Sequence, residues 1–271
     1  YTAQTLSDAQ KTQARENIGA ADAATVSSLK SDVAPLIFNN AGAHNAVYRG
    51  KNLGTSVTAE QWAAIKAGTF ENLYIGDYWK IGGVIYRIAA FDYYYGTGNT
   101  TVNTHHVTLV PDGVMYNHVM NDTDITTGAY LGSKMYTSGL SAAKTTINNA
   151  FGAAHILRHP IYLKNTVTNG YESAGSWYDS TVELMTEQNV YGGKIYANSI
   201  QGTNLAAQIT IDKSQYPLFA HNPNMISYNA RFWMRDVAFE SGFCYVSQSG
   251  IATAGYASAV HGVRPAFSII G

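Results

Sequence analysis

The sequence is short of the features that define several common protein classes. It contains a single cysteine, Cys244, so no internal disulfide forms and a disulfide-stabilised scaffold is excluded. No apolar run approaches about 18 residues, so no segment is predicted to span or insert into a membrane. Charged residues make up only 13% of the chain, and the net charge is −1. Because no basic stripe stands out, a nucleic-acid partner is not expected.

Tyrosine is the residue type that stands out. The chain of 271 residues contains 20 tyrosines within a composition that is 46% hydrophobic. This length and apolar fraction suffice for a sizeable core in one large domain or two ordinary ones. Tyrosine combines a flat apolar ring with a polar hydroxyl, which suits binding surfaces that stay hydrated. The other interpretation is that many of these rings line half-buried strands.

The first 36 residues differ from the rest in their sequence pattern and are predicted to be helical. Ser7 and Gln10 have the spacing of a capping box, and Gly19 ends that first helix. Four apolar residues of the second helix then follow a 3-4-3 spacing, as in the seam of a coiled coil: they are Val26, Leu29, Val33 and Leu36. So short a helix is unstable alone in water. We therefore interpret residues 1–36 as a self-associating neck; packing on its own domain is the alternative.

Residues 37–271 are predicted to form one mixed domain. Thr58 and Gln61 fit a second capping box, and Gly68 ends that helix. Two strands are predicted to meet at the Gly82-Gly83 turn, and "HHVTLVPDG" reads as another strand. Further helices are predicted in "LSAAKTTINNAFG", with Ala142, Ile147 and Phe151 as its apolar positions, and in "YDSTVELMTEQNVYG". Strands dispersed among isolated helices favour an α+β fold.

Two histidine pairs are the obvious candidates for a metal site. They are His105-His106 and His155/His159. A helix would place the second pair on one face, but Pro160 favours extended chain there. No glutamate lies between these two histidines as in a metalloprotease. We therefore expect no metal ion.

Support for catalysis is weak. Cys244 and His261 are the nearest thing to a nucleophile and its base. A cysteine among Phe243, Tyr245 and Val246 is nevertheless typical of a small packed residue. The sequence has no nucleophile elbow and no phosphate-binding loop. We therefore expect no catalytic residue and no cofactor.

The most unusual segment lies in the C-terminal third. Twelve of the 24 residues from Ala238 to His261 are Ala, Gly or Ser, and Glu240 is the only charged one. The segment has no consistent period, which predicts surface loops that form a binding face; an ordinary flexible loop is the alternative. Three residues flanking it are expected to be structural: they are Trp233, Arg235 and Arg264.

The frame "WMRDV…FCYV…G…GVRPAF" resembles the C-terminal end of variable proteins diversified by diversity-generating retroelements. "YRGKNLGTSVTAEQWAAIKAGTFENLYIGDYW" and "STVELMTEQNVYG" are similar to upstream parts of such phage proteins. "TLSDAQKTQARENIGAA" resembles a segment of phage tail-fibre and tail-collar proteins. The resemblance implies a C-type-lectin-like fold, of the branch shared with formylglycine-generating enzymes, in residues 37–271 and a variable region at about 228–262.

The resemblance also implies which residues bind a ligand, because adenine-directed miscopying alters exposed positions. The implied positions are Phe239, Ser241, Gly242, Tyr245, Ser247, Ser249, Ile251, Thr253, Ala254, Gly255, Tyr256, Val260 and His261. Glu240 and Gln248 are not reached from an Asn codon by adenine changes alone. The implied framework positions are Phe243, Val246, Gly250 and Gly262.

Two departures from related families narrow the implied function. The nearest match to a calcium-dependent sugar site is "NPN" at 222–224, without an acidic cluster beside it. Formylglycine-generating enzymes use paired cysteines, which the single Cys244 does not supply. The expectation is a phage adhesin at the tip of the virion's tail fibre. It would be a homotrimer attached to other tail proteins and would bind a bacterial surface protein or glycan.

Two other functions remain open from the sequence. One is a tail-associated enzyme that degrades glycans, which would bring a pair of carboxylates together in one cleft. The other is a purely structural tail or decoration protein, which would not expose a cluster of tyrosines and small residues. No carboxylate pair is evident in the sequence.

Overall fold

The computed structural model describes residues 5–33, 39–197, 214–227 and 229–271. It divides into two units, Tyr1–Asn39 and Asn40–Gly271. The first unit contains helices α1 (Asp8–Ile18) and α2 (Ala23–Val33). The capping box predicted at Ser7 is confirmed, and Gly19 ends α1 in the left-handed conformation with φ 63°.

The large apolar side chains that are described on α1 and α2 lie in solvent. No residue of α1 is buried. On α2, Val26 is 41% exposed and Leu29 is 62% exposed. Leu36, the last residue of the predicted seam, lies outside the described residues. The association of these helices therefore stays a prediction.

Five further helices are described in the second unit. They are α3 (Ala41–Asn45), α4 (Ala59–Ala67), α5 (Ser141–Phe151), α6 (Glu187–Tyr191) and α7 (Pro217–His221). The capping box of Thr58 and Gln61 and the left-handed Gly68 bound α4, as predicted. The described residues also include one π-helical turn (Met135–Gly139) and two 3-10 turns (Ala153–His155, Pro223–Met225).

Twelve strands are described in the same unit. They are β1 (Tyr78–Ile81), β2 (Val84–Phe91), β3 (Val107–Pro111), β4 (Tyr116–His118), β5 (His159–Thr168), β6 (Tyr171–Ser180), β7 (Val182–Leu184), β8 (Phe232–Phe239), β9 (Gly242–Val246), β10 (Ala252–Tyr256), β11 (His261–Val263) and β12 (Pro265–Ile269). The Gly82-Gly83 turn joins β1 to β2, as predicted, with both glycines at positive φ.

The strands form two five-stranded sheets and one separate hairpin. The first sheet has the order β1-β2-β3-β12-β7 and is antiparallel throughout. The second has the order β10-β9-β8-β11-β4, in which only β8 and β11 run parallel. Strands β5 and β6 pair only with each other among the described strands. One hydrophobic core joins buried residues of both sheets. The fold is thus a mixed α and β fold in which sheet predominates.

Two local predictions are wrong. The helix expected in "YDSTVELMTEQNVYG" shrinks to α6, because its first half completes β6 and forms β7. On α5, Ala142 is exposed and the buried residue is Ala143, so the apolar face is shifted by one residue. At the end of the chain, Arg264 lies between β11 and β12, which belong to different sheets.

Candidate functional site

The segment expected to be irregular loops is a β-hairpin. Strand β9 pairs with β10 in antiparallel register, with Tyr245 opposite Thr253 and Gly242 opposite Tyr256. The prediction of loops over residues 238–261 is therefore wrong. Period-2 alternation is invisible there because alanine, glycine and serine differ little in hydropathy on the two faces.

One side of this hairpin belongs to the core. Cys244 and Val246 are fully buried, and Ala252 of β10 is 4% exposed. Burial raises the pKa of the Cys244 thiol, which holds it in the protonated form. Successive residues of a strand point to opposite faces, and His261 packs on Tyr245 of the other face. The candidate nucleophile and base are therefore not brought together.

The implied ligand-binding positions differ widely in exposure. Ile251, Tyr256 and Val260 expose 65%, 59% and 63% of their surface, and Ser249 is also exposed. Seven more are half-buried: Phe239, Ser241, Tyr245, Ser247, Thr253, Ala254 and Gly255.

Two of the implied positions are buried. His261 is 8% exposed. A Cβ atom at Gly242 would overlap the Phe239 ring and the carbonyl oxygen of Gly255. The expectation that these two residues lie on an exposed face is wrong, because close packing fills the space around both.

The exposed positions lie at two opposite ends of the hairpin. Exposed Ser249 and Ile251, with the half-buried Ser247, form the tight turn between β9 and β10, which we call the turn surface. Tyr256 and Val260 lie at the other end. A five-residue strand separates the ends by about 14 Å at roughly 3.4 Å per residue. The implied positions thus do not form one compact patch.

Two other segments, residues 124–126 and 169–171, meet the residues around the Tyr256 end of the hairpin. The Thr126 hydroxyl donates to the Glu240 carbonyl at 2.5 Å, and Gly170 packs against the backbone of Glu240. The backbone N–H and hydroxyl of Ser258 both donate to Asp124 Oδ1, at 3.0 and 2.6 Å. Four large apolar or aromatic residues of these segments are exposed; we call them the loop-end surface: Ile125, Tyr171, Tyr256 and Val260.

Sequence reasoning missed two members of the loop-end surface. Tyr171 follows the Asn169-Gly170 turn, where both residues have positive φ, 53° and 79°. An Asn-Gly pair between strand-like runs is a strong hairpin signal, so β5 and β6 could have been predicted. Nothing in the local sequence marks Ile125.

An aromatic cluster supports the middle of the sheet. The His261 ring lies 4.3 Å from the Tyr245 ring and 4.4 Å from the Trp233 ring, centroid to centroid. The Trp233 indole N–H donates to the His118 carbonyl at 2.9 Å. Burial lowers the pKa of His261, which favours its neutral form. These rings position Tyr245 rather than offer a charged group.

Arg264 is almost fully buried and has backbone carbonyls as partners. Its Nε donates to the Pro111 carbonyl at 2.8 Å, and its two terminal nitrogens donate to Met225 at 2.9 Å and Ile226 at 3.2 Å. Its guanidinium also lies 5.0 Å from the centre of the Phe232 ring. Arg264 therefore joins the crossover between the two sheets to the segment that precedes β8.

Arg235, also predicted to be structural, is buried on β8. It is 6% exposed, and its Nη1 donates to the Leu184 carbonyl at 3.2 Å. Its own backbone N–H donates to the Met185 carbonyl at 2.9 Å. Arg235 therefore ties β8 to the end of β7, and so connects the two sheets.

Sequence reasoning also missed two buried carboxyl groups, those of Glu172 on β6 and Asp236 on β8. Glu172 Oε1 accepts from the Val237 N–H at 3.1 Å, and Asp236 Oδ2 accepts from the Glu187 N–H at 2.7 Å. Burial, reinforced by the charge of Asp236, raises the pKa of Glu172 to about 8. Burial is also the main cause that raises the pKa of Asp236, to about 6. The structure thus brings together a carboxyl pair that lies 64 positions apart in the sequence.

This carboxyl pair does not lie in an open cleft. Glu172 and Asp236 are 1% and 3% exposed. The cavity beside them, lined also by Tyr130, Tyr162 and Lys164, has a volume of about 10 Å³. That volume admits roughly one water molecule and is far smaller than a sugar ring.

Within residues 5–33, 39–197, 214–227 and 229–271, no group of three or more His, Cys, Asp or Glu side chains has a metal-binding arrangement. None of the helices in this described part of the chain combines the length and the apolar character needed to cross a membrane. Comparison of the chain with protein-family models, curated proteins and solved structures finds no match.

Proposed function

We propose that this chain is a phage tail-fibre adhesin whose C-type-lectin-like domain binds a protein or glycan on the host surface. The observation that carries this proposal is the position of Tyr256. Its side chain is 59% exposed and meets the Phe239 ring edge-to-face at 5.7 Å. A large ring held in place at an exposed strand end is the kind of anchor that dominates binding interfaces.

The hairpin suits a surface that must vary without loss of the fold. Its inner residues Cys244 and Val246 belong to the core, whereas its ends are exposed. Substitutions at exposed positions usually change stability by less than about 0.5 kcal/mol. The loop-end and turn surfaces could therefore change in sequence while the sheet stays intact.

The proposed neck supports multivalent binding. Exposed Val26 and Leu29 lie one helical turn apart on α2, as the a and d positions of a coiled coil would. Burying them requires a second helix. We propose a homotrimer, because three linked copies bind a repetitive cell surface far more tightly than one copy does.

The alternative of a glycan-degrading enzyme has one observation in its favour, the Glu172–Asp236 pair. Retaining and inverting glycosidases both place two carboxyls around the bond that they cleave. The cavity of about 10 Å³ beside this pair leaves no room for that substrate. The observations therefore favour binding over hydrolysis at this position.

The test is binding of the full chain to candidate host cells and to their surface extracts. We expect Tyr256→Ala combined with Val260→Ser to reduce binding at least tenfold with an unchanged melting temperature. Ser249→Ala combined with Ile251→Ser tests the turn surface in the same assay. Tyr95→Ala is the matched control, because Tyr95 is 41% exposed and stacks on His105.

Each outcome of that test has a distinct meaning. Loss of binding in only one of the two double variants identifies the surface that contacts the host. Unchanged binding in both variants would contradict the proposal for this hairpin. Release of reducing sugars from the extract by the wild-type chain, lost in Glu172→Gln, would favour the enzyme instead.

A further inference from the structure

Five buried side-chain atoms lack a hydrogen-bond partner within the described chain; one is the Tyr86 hydroxyl, and the other four belong to residues that line two small cavities. These four are Glu172 Oε2, the Tyr162 hydroxyl, and both ring nitrogens of His159. The three side chains belong to residues that are 1%, 7% and 4% exposed, respectively. An interior polar atom without a partner is costly, so each such atom calls for an explanation.

The first cavity contains the unpartnered atoms of the β5–β6 hairpin. Glu172 and Tyr162 line it together with Lys164, Arg235 and Asp236. The second cavity is lined by His159, Glu183 and the same Arg235. Each cavity has a volume of about 10 Å³, which matches one water-sized sphere.

We propose that each of these two cavities is a binding site for one buried water molecule. Arg235 lines both sites. In the first site the water bonds to Glu172 Oε2 and to the Tyr162 hydroxyl. In the second it bonds to a ring nitrogen of His159. Water is the ligand that fits, because each site is polar and small and its carboxyl groups lie beside Arg235 or Lys164 rather than alone.

Backbone groups near these side chains do not replace the waters. The carbonyl of Leu157 and the backbone of Gly175 act on the pKa values of His159 and Tyr162, respectively. Neither meets the distance and angle of a hydrogen bond to them. Burial lowers the pKa of His159 to about 3, so its ring is neutral and offers one donor and one acceptor. A water molecule can use either.

The inference gives Arg235 a role beyond its bond to the Leu184 carbonyl. Arg235 lines both cavities from its position on β8. Two internal waters on its flanks would join the β5–β6 hairpin, which carries His159, Tyr162 and Glu172, to β8, which carries Arg235. The hairpin would then be fixed to the second sheet by hydration as well as by packing.

A crystal structure of the full chain at about 1.5 Å resolution tests the inference directly. We expect one density peak in each cavity, at hydrogen-bond distance of about 2.6–3.2 Å from the unpartnered atoms. Cross-relaxation between water and protons lining each cavity should show a long-lived molecule in solution. Empty density in the wild-type cavities, a side chain turned into them, or a metal ion at coordination distance would overturn the proposal.

Two variants make the assignment specific to each cavity. His159→Phe keeps the stacking on Tyr94 and removes both nitrogens, so we expect it to lose the peak in the second cavity only. Tyr162→Phe combined with Glu172→Met should lose the peak in the first cavity only. Tyr178→Phe, a half-buried tyrosine of the same hairpin, is the control and should keep both peaks. Retention of both peaks in either cavity variant would contradict the assigned partners. If a variant does not fold, the density in the wild-type cavities alone decides whether the waters are present.

Discussion

Tyr256 lies directly opposite Gly242 across the β9–β10 hairpin, and the missing side chain of Gly242 makes room for the Phe239 ring that supports Tyr256. The most exposed aromatic residue of the hairpin thus depends on a buried glycine. Tyr256 and Gly242 are therefore two parts of one packing arrangement.

Gly242→Ala should therefore destabilise the domain, although the resemblance marks this position as variable. The added methyl group would overlap the Phe239 ring and the Gly255 carbonyl. Overpacking of this kind costs about 1–3 kcal/mol. Denaturant unfolding of Gly242→Ala measures the loss, with Ser241→Ala as the neighbouring control. Equal stability of the two variants would show that the hairpin relaxes around the methyl group.

Arg264→Ala should lower the free energy of unfolding by about 2–4 kcal/mol, because three backbone carbonyls in the interior would lose their donor. Arg264→Lys should recover little of that loss, since an ammonium group does not reproduce the planar donors of a guanidinium. Arg231→Ala is the control, because Arg231 is exposed and directly precedes β8. It should change stability by less than about 0.5 kcal/mol. An unchanged melting temperature of Arg264→Ala would contradict the structural role.

The parts of the fold that follow from local chemistry could be predicted from the sequence. Ser7 with Gln10, and Thr58 with Gln61, identify helix starts because a capping box needs only four consecutive residues. The Gly82-Gly83 turn is equally local. The buried partners of Arg264 come from residues 38, 39 and 153 positions away, so the sequence predicts that it needs partners but not which ones.

The candidate site was less predictable for two physical reasons. Small residues blur the alternation of β9 and β10, so a hairpin reads as loop. Contacts that build the loop-end surface are also long-range, as between Thr126 and Glu240. Exposure at Tyr256 and burial at His261 are decided by such contacts, and no short stretch of sequence contains them.

The neck should drive self-association. Light scattering of the full chain at micromolar concentration should give three times the mass of one chain. The double variant Val26→Ser/Leu29→Ser should give a monomer, because it removes the exposed apolar residues of α2 that need a partner. Ser27→Ala, outside the seam, is the control. A wild-type mass equal to one chain would contradict the trimer.

Stability should fall as the pH rises from 7 to 8.5, and Glu172 should be the cause. Its pKa is about 8 in the folded protein against 4.5 as the ordinary value, because burial and Asp236 disfavour the ionised form. Between these two pKa values the folded chain holds a proton on Glu172 that the unfolded chain has lost. The contribution of Glu172 to the free energy of unfolding is therefore fully present below about pH 4.5 and is lost as the pH rises through 8. The expected loss is on the order of 1 kcal/mol per pH unit near pH 7.

The pH window separates Glu172 from the two shifted histidines and from Asp236. Burial lowers the pKa of His159 and His261, so their effect is a loss of stability as the pH falls below about 6.5. Asp236, with its pKa near 6, completes most of its titration below pH 7. Denaturant unfolding at pH 7, 7.5, 8 and 8.5 should show a falling free energy in the wild type and in the control Glu240→Gln, an exposed glutamate. Glu172→Gln keeps an acceptor for the Val237 N–H but carries no titrating proton, so its free energy of unfolding should stay level over this range. The same slope in Glu172→Gln as in the wild type would assign the pH dependence to another group.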